Sequence, residues 1–144
     1  MVRMKVVDGK NMILGRVASA VAKRLLLGED VAIVNAEQMV LSGDIPYLVG
    51  KYQKRRSLKN KATPENSPSW PRRPDLFVRR IIRGMLPFDK PSGRAAFRRL
   101  RVYVGVPSEL ASAERMKVPG AEAEKLDCKY CSVESLCEKL GFKR

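Results

Sequence analysis

The 144-residue chain contains no histidine, and this absence excludes a wide range of catalytic and metal-binding functions. Without an imidazole there can be no Ser-His-Asp triad, no Cys-His dyad and no histidine ligand for a metal. Acidic groups such as Asp8, Asp44 and Asp89 remain, but each lies near a glycine or a proline, where aspartate usually forms turns. We therefore predict that the protein is not an enzyme and acts on no small-molecule substrate.

Cysteine is also scarce. Cys128, Cys131 and Cys137 form a C-x2-C-x5-C pattern near the end of the chain. A structural zinc site takes four protein ligands, whereas this pattern offers three cysteines and no histidine, and an acidic fourth ligand is rare. The pattern therefore predicts free thiols, with no metal and no cofactor.

Long apolar runs are missing. No stretch approaches the roughly 18 apolar residues that a membrane-spanning helix needs, so we predict no membrane partner. Charged residues interrupt Met1–Asp8, which therefore does not have the pattern of a secretory signal. With 44% hydrophobic residues, the chain can form the core of one domain. We expect a cytoplasmic protein with a single domain over 1–144, including a basic loop over 59–74 and a C-terminal extension over 107–144.

Negative charge is nearly absent from the middle of the chain. Residues 51–101, here called the basic segment, contain sixteen Lys and Arg against three acidic residues, a net charge of +13 out of +14 for the whole chain. Self-repulsion of this size works against a compact state. Because a polyanion would neutralise it, the basic segment predicts a nucleic-acid partner.

The apolar pattern predicts an α/β fold. Met4–Val7 and Val31–Val34 have the apolar runs of short strands, and the residues between them repeat at helical spacing from Leu14 to Leu25, ahead of Gly28. This is a βαβ unit, which favours a three-layer sandwich with a small, mostly parallel, Rossmann-like sheet flanked by helices. The other predicted elements are a short apolar step at 39–41, helices over 45–52, 75–85 and 94–100, a last strand over 102–106 and a C-terminal helix from Ser132 to Gly141, while 109–125 has no clear pattern.

Two of the predicted helices carry arginines on one face. Arg79 and Arg83 are four residues apart with Arg80 beside them, and the spacing of the next helix places Arg94, Arg98 and Arg101 on a common face. Like charges at this spacing cost an isolated helix roughly 0.2–0.5 kcal/mol per pair. The arrangement is explained if phosphates lie between the guanidinium groups, which can bind them through two parallel hydrogen bonds. A solvated charged face is the alternative.

The segment 59–74 contains four prolines and predicts a long extended loop that becomes ordered on RNA. Its basic residues are further candidates for RNA contact: Lys59, Lys61, Arg72 and Arg73. Trp70 within the loop either stacks on an extruded base or anchors the loop to protein. Phe77 and Phe97 are predicted to be core residues.

Three motifs occur in order along the chain: Asp8-Gly-Lys with Ile13-Leu-Gly-Arg-Val-Ala-Ser19, Val34-Asn-Ala-Glu with Leu41-Ser-Gly43, and Ile82-Arg-Gly-Met-Leu-Pro87 followed by Gly93-Arg94 and Leu100-Arg-Val-Tyr-Val-Gly105. Together they resemble the universal large-subunit ribosomal protein thirteen family in its archaeal and eukaryotic form. The resemblance covers about Val6 to Pro107. It does not extend to the loop residues 63–74, which differ from the family pattern, or to the cysteines of the tail.

The resemblance implies a structural protein that binds large-subunit ribosomal RNA early in assembly, beside neighbouring ribosomal proteins. It implies RNA-facing roles for Lys54, Arg55, Arg56, Arg79, Arg80, Arg83, Gly84, Met85 and Arg94. Gly84 either lets backbone approach a phosphate or merely ends a helix. Two other functions stay open on the sequence: a small RNA-modifying or nucleotide-using enzyme on a Rossmann-like core, and a regulatory RNA-binding module acting away from ribosomes.

Overall fold

The computed structural model describes residues 4–144; Met1–Arg3, which contributed to the exclusion of a secretory signal, lie outside this range. In chain order the elements are β1 (Lys5–Asp8), α1 (Leu14–Leu26), β2 (Val31–Val34), β3 (Val40–Ser42), α2 (Ile45–Ser57), α3 (Pro74–Met85), α4 (Pro91–Arg98), β4 (Leu100–Val102), β5 (Arg115–Met116), β6 (Tyr130–Ser132) and α5 (Val133–Lys139). None of the helices in the described part is both long and apolar enough to cross a membrane.

The main sheet has the strand order β4-β2-β1-β5, and each neighbouring pair is parallel. Its strands are short apolar runs because both faces are covered. On one face, Val7 and Ile33 join the main core with the buried stripe of α1, against which α3 and α4 pack. On the other face, Val6 and Val34 pack beneath the chain that follows β4, around Leu110. The predicted α/β class with its layered, mostly parallel sheet is confirmed.

The local signals for helix ends also operate as predicted. Gly28 follows α1 with φ +92°, a left-handed conformation that glycine adopts without strain. At α5, the Oγ of Ser132 accepts a hydrogen bond from the Ser135 N–H at 3.2 Å. This cap joins α5 to β6, which pairs antiparallel with β3 in a second, two-stranded sheet.

The predicted boundary between the fourth helix and the last strand was wrong. α4 ends at Arg98, and β4 begins at Leu100 in parallel register with Val31, so Arg101 lies on a strand and not on a helix. Hydrogen bonds from distant parts of the chain set this register, including one from the Val31 N–H to the Arg99 carbonyl at 3.3 Å. The predicted strand over 102–106 stops early because Gly105 turns with φ +71° and donates its N–H to Glu37 Oε2 at 2.9 Å.

Two segments contain more regular structure than expected. α2 continues five residues past its predicted end at Tyr52, to Ser57. The unpatterned stretch 109–125 contributes β5, a two-residue edge strand beside β1, and two single 3₁₀ turns. Strands this short have too few residues for a period-2 pattern to be recognised in the sequence.

Candidate nucleic-acid interface

The arginines of α3 lie on the faces of aromatic rings. The Arg79 guanidinium carbon is 4.5 Å from the centre of the Phe97 ring, and that of Arg83 is 4.0 Å from the centre of the Phe88 ring. Phe88 and Phe97 contact each other edge to face, with ring centres 5.5 Å apart. A guanidinium group on a ring does not use its N–H donors for that contact, although the Nε of Arg79 is itself buried without a hydrogen-bond partner.

A second group of rings and cations lies where α2 meets the proline-rich loop. The guanidinium carbons of Arg55 and Arg80 are 4.9 and 5.2 Å from the centre of the Trp70 indole. The centre of the Trp70 ring lies 5.4 Å from that of Tyr52 and 6.2 Å from that of the fully buried Phe77. Trp70 therefore anchors the loop to the protein core. Of the two alternatives for this residue, the structure supports anchoring.

Crowding of cations affects the pKa of Arg80. Partial burial lowers this pKa, and the nearby charges of Arg83 and then Arg55 lower it further. An arginine side chain nevertheless stays protonated at neutral pH. The stacked-arginine cluster, defined as Arg55, Arg79, Arg80 and Arg83 with the rings of Trp70, Phe88 and Phe97, is therefore fully charged.

One arginine each from α3, α4 and β4 lines a single cavity, here called the three-arginine cleft. Arg79, Arg98 and Arg101 line a cavity of about 380 Å³ together with Asp75 and Tyr103. Of the predicted face of Arg94, Arg98 and Arg101, only Arg98 and Arg101 line this cleft, and a strand rather than a helix positions Arg101. Asp75 is the acidic group in this cleft, and its Oδ2 pairs with Arg73 Nη2 at 2.9 Å. Three cations against one carboxylate leave the cleft suited to an anion.

Most of the other predicted residues are exposed to solvent. Those that are exposed are Lys54 on α2, Lys59, Lys61, Arg72 and Arg73 in the loop, Gly84 and Met85 at the end of α3, and Arg94 and Arg98 on α4, while Arg56 is half-buried. The loop is not uniformly extended: it contains a 3₁₀ turn at Pro64–Asn66, and the Asn60 N–H donates to Ser67 Oγ at 2.9 Å. Further ordering of the loop on RNA stays a prediction.

Four arginines among the described residues of the basic segment have internal hydrogen-bond partners: Arg73 pairs with Asp75, the Arg80 Nε donates to the Ser69 carbonyl at 3.4 Å, and Arg94 and Arg99 bond to other carbonyls. Arg94 donates from Nε to the Phe88 carbonyl at 3.0 Å and from Nη2 to the Asp89 carbonyl at 3.3 Å, which holds the start of α4 against the preceding turn. Arg99 donates from Nη1 to the Leu25 carbonyl at 2.8 Å, at the last turn of α1. Arg99 is therefore a structural residue, and its neighbour Arg98 is the exposed one.

Glycines of the third sequence motif differ sharply in their surroundings. A Cβ at Gly93 would lie 2.0 Å from the Pro87 carbonyl oxygen, so only glycine fits where α4 approaches the turn after α3. A Cβ at Gly84 would have no atom within 4 Å. The packing of this chain therefore explains glycine at 93 but not at 84.

Comparisons with known proteins identify the family. The model of the family described as ribosomal protein L13 matches residues 3–109. The chain belongs to this family. It is 46% identical over 142 residues to the large ribosomal subunit protein uL13 of Methanocaldococcus jannaschii, covering 97% of this chain and 99% of the relative. It is 45% identical over 139 residues to the uL13 of Aeropyrum pernix, covering 96% and 90% respectively.

The match to the ribosomal protein L13 family confirms the resemblance carried by the three motifs, and both of these relatives come from archaea. The matched range includes α1, the whole basic segment and β4. The stacked-arginine cluster and the three-arginine cleft thus lie within the residues that the family model matches.

The cysteines lie outside the residues matched by the family model. Cys128 is exposed, whereas Cys131 on β6 and Cys137 on α5 are buried. Burial raises the pKa of Cys131, and it raises that of Cys137 to about 12, so both remain neutral thiols at physiological pH. Within residues 4–144 there is no group of three or more potential metal ligands close enough to hold an ion.

Proposed function

We propose that this chain is a structural constituent of the large ribosomal subunit, that it binds large-subunit ribosomal RNA, and that it supports early assembly of the subunit. The proposed site of action is the cytoplasm, beside neighbouring large-subunit proteins. The observation that carries the proposal is that the cations of the basic segment contact aromatic rings and leave most of their charge unpaired. Its guanidinium groups rest on aromatic rings, and Arg73 is the one cation among its described residues that pairs with a carboxylate.

The proposed RNA contacts are Lys54, Arg55, Arg56, Lys59, Lys61, Arg72, Arg73, Arg79, Arg80, Arg83, Gly84, Met85, Arg94, Arg98 and Arg101. The three-arginine cleft between α3 and β4 would hold a backbone phosphate, and the stacked-arginine cluster would follow the chain of phosphates beside it. Contacts of this kind fix the shape and register of an RNA and carry little sequence information. Such a protein would stabilise a folded arrangement of RNA helices during assembly.

The direct test of the ribosomal role is sedimentation of a native lysate through a density gradient at moderate salt and Mg²⁺. We expect the chain to migrate in a one-to-one ratio with the large subunit and to remain there after a high-salt wash. Chain that stays at the top of the gradient, free of RNA, would contradict the proposal. Thermal-shift screening with nucleotides would then test the enzyme alternative.

The test of the site is the quadruple variant Arg79→Gln, Arg83→Gln, Arg94→Gln and Arg98→Gln. If about eight cations contact phosphates, the logarithm of the affinity for large-subunit RNA should fall with the logarithm of salt concentration with a slope of about −6. The variant should lose detectable RNA binding at physiological salt, because four contacts and their released counterions are removed.

A matched control changes four exposed cations outside the basic segment: Lys10→Gln, Lys23→Gln, Lys117→Gln and Lys139→Gln. It loses the same total charge, so a purely nonspecific attraction would weaken equally in both variants. Filter binding to transcribed large-subunit RNA of Methanocaldococcus jannaschii, with circular dichroism to check the fold, compares the two. A folded quadruple arginine variant that binds like the control would disprove the assignment of α3 and α4.

A further inference from the structure

A second cleft lies on the other side of α3 from the three-arginine cleft. It is formed by α1, α2, α3 and the proline-rich loop. Its volume is about 340 Å³, within the range of roughly 300–1,000 Å³ that is typical of ligand sites. Leu41 and Ile81 contribute an apolar lining, and Trp70, Arg55 and Arg80 contribute an indole and two cations. The surface combines apolar, aromatic and positively charged groups within one cavity.

Two glycines of the family motifs line this same cleft. Gly15 lies in the first turn of α1 and Gly84 in the last turn of α3, and a Cβ at either position would have no atom within 4 Å. In a helix interior glycine costs roughly 0.5–1 kcal/mol relative to alanine; at these terminal turns the cost is smaller, but neither packing nor a positive φ requires glycine at either position. The space that the missing side chains leave open is the cleft itself.

We infer that this cleft binds the base of an unpaired nucleotide of the RNA, with Arg55 and Arg80 facing its sugar–phosphate backbone. A nucleotide combines a flat apolar heterocycle with an anion, which matches the apolar lining and the two cations together. A base inside a duplex is stacked and paired and cannot enter, so the occupant is a single-stranded or bulged residue. An apolar protein side chain would match Leu41 and Ile81 but would leave both guanidinium groups without an anion. The inference rests on the proposed function and narrows it to one nucleotide.

The single tryptophan of the chain provides a direct signal, because Trp70 lines the cleft. The probe is a single-stranded RNA heptamer, compared with a heptamer of the same phosphate count whose sugars carry no bases. Base stacking contributes about 1–3 kcal/mol per base. We expect the complete heptamer to change Trp70 emission and to bind about 5- to 150-fold more tightly than the abasic one.

Gly84→Leu fills the cleft without removing a cation, and its matched control is Gly50→Leu. Gly50 is an exposed helical glycine of α2, outside the cleft, whose Cβ would likewise have no atom within 4 Å. Both substitutions should be neutral or stabilising for the fold, since leucine is the better helix former. Gly84→Leu should reduce the affinity for the complete heptamer to that of the abasic one, while Gly50→Leu leaves it unchanged.

The outcomes separate this inference from the proposed function. Equal binding of both heptamers, together with wild-type binding by Gly84→Leu, would overturn the nucleotide cleft, whereas a steep salt dependence on large-subunit RNA would still support the phosphate contacts. Wild-type RNA binding by Gly84→Leu combined with loss of a neighbouring protein from the subunit would assign the cleft to a protein side chain and also overturn the inference. Absence of binding to any RNA would remove both proposals.

Discussion

The basic segment and the rest of the molecule treat charged side chains in different ways. Outside residues 51–101, the described residues form four ion pairs, among them Lys5–Glu29 at 2.6 Å and Lys125–Glu122 at 3.5 Å. Inside the basic segment, the described residues form one ion pair, Arg73–Asp75, while all six cation–ring contacts found in residues 4–144 lie there. A side chain that must stay available to an external anion cannot also be neutralised internally. The ring contacts position the cations and leave their charge uncompensated.

The largest effect on this contrast should come from Gly93→Ala. The added methyl group would lie 2.0 Å from the Pro87 carbonyl oxygen, so the turn before α4 must shift. Overpacking of this kind costs about 1–3 kcal/mol. Here the shift should also separate Phe88 from Phe97, and these two rings contact Arg83 and Arg79. We expect a loss of that size in urea denaturation and at least a tenfold loss of RNA affinity.

Gly84→Ala is the control for this prediction, because the same methyl group meets no atom within 4 Å there. It should be neutral or stabilising by roughly 0.5–1 kcal/mol. Equal stability of Gly93→Ala and Gly84→Ala would contradict the close approach of α4 to the turn. If Gly93→Ala lost stability but kept its RNA affinity, the positions of the Phe88 and Phe97 rings would not matter for RNA binding.

A smaller effect is expected from the double variant Phe88→Leu and Phe97→Leu, which keeps every charge and removes two supporting rings. Each cation–ring contact contributes about 0.5–1 kcal/mol at an exposed site, so the RNA affinity should fall about 5- to 25-fold. Because the number of phosphate contacts is unchanged, the slope of affinity against salt should stay the same. Titration of the RNA at several salt concentrations measures both quantities.

Tyr130→Leu removes an exposed ring outside the basic segment and serves as the control. It should leave RNA affinity within a factor of two of the wild type. Unchanged affinity in the double phenylalanine variant would mean that the rings serve the fold alone. A shallower slope of affinity against salt would mean that fewer arginines contact phosphates, whereas an unchanged slope with weaker binding means that the same contacts have become less ordered.

The sequence predicted those features that are encoded locally. The β1-α1-β2 unit follows from an uninterrupted helical stripe between two apolar runs, and the helix ends at Gly28 and Ser132 follow from backbone conformation and side-chain capping. The boundary between α4 and β4 was missed because bonds from a distant strand, such as Tyr103 N–H to the Ile33 carbonyl at 2.8 Å, decide it. No helical period in the local sequence contains that information.

The candidate site was predictable in its charge but not in its shape. Net charge located the basic segment, and the family motifs selected Arg79, Arg83 and Arg94. The pairing of particular cations with particular rings depends on how α3 and α4 pack. The second cleft brings together Gly15 and Gly84, which lie far apart in the sequence. One signal in the sequence pointed toward it: Gly84 interrupts a helical pattern without marking a turn.

The smallest expected effect concerns the ion pairs outside the basic segment, and Glu29→Gln tests them. The carboxylate of Glu29 forms ion pairs with Lys5 at 2.6 Å and with Arg24 at 3.9 Å, and 31% of its side chain is exposed to solvent. Solvent-exposed pairs contribute about 0.2–1 kcal/mol, so the loss in urea denaturation should lie in that range and shrink in high salt.

The same substitution raises the net charge of the protein by one unit without touching the basic segment. If RNA binding responded only to total charge, Glu29→Gln would strengthen it; if the stacked arginines determine it, the affinity should remain within a factor of two of the wild type. A clear gain in affinity would therefore contradict the division between the two regions. An unchanged affinity beside a small, salt-sensitive loss of stability would show that internal pairing and RNA binding use separate sets of charges.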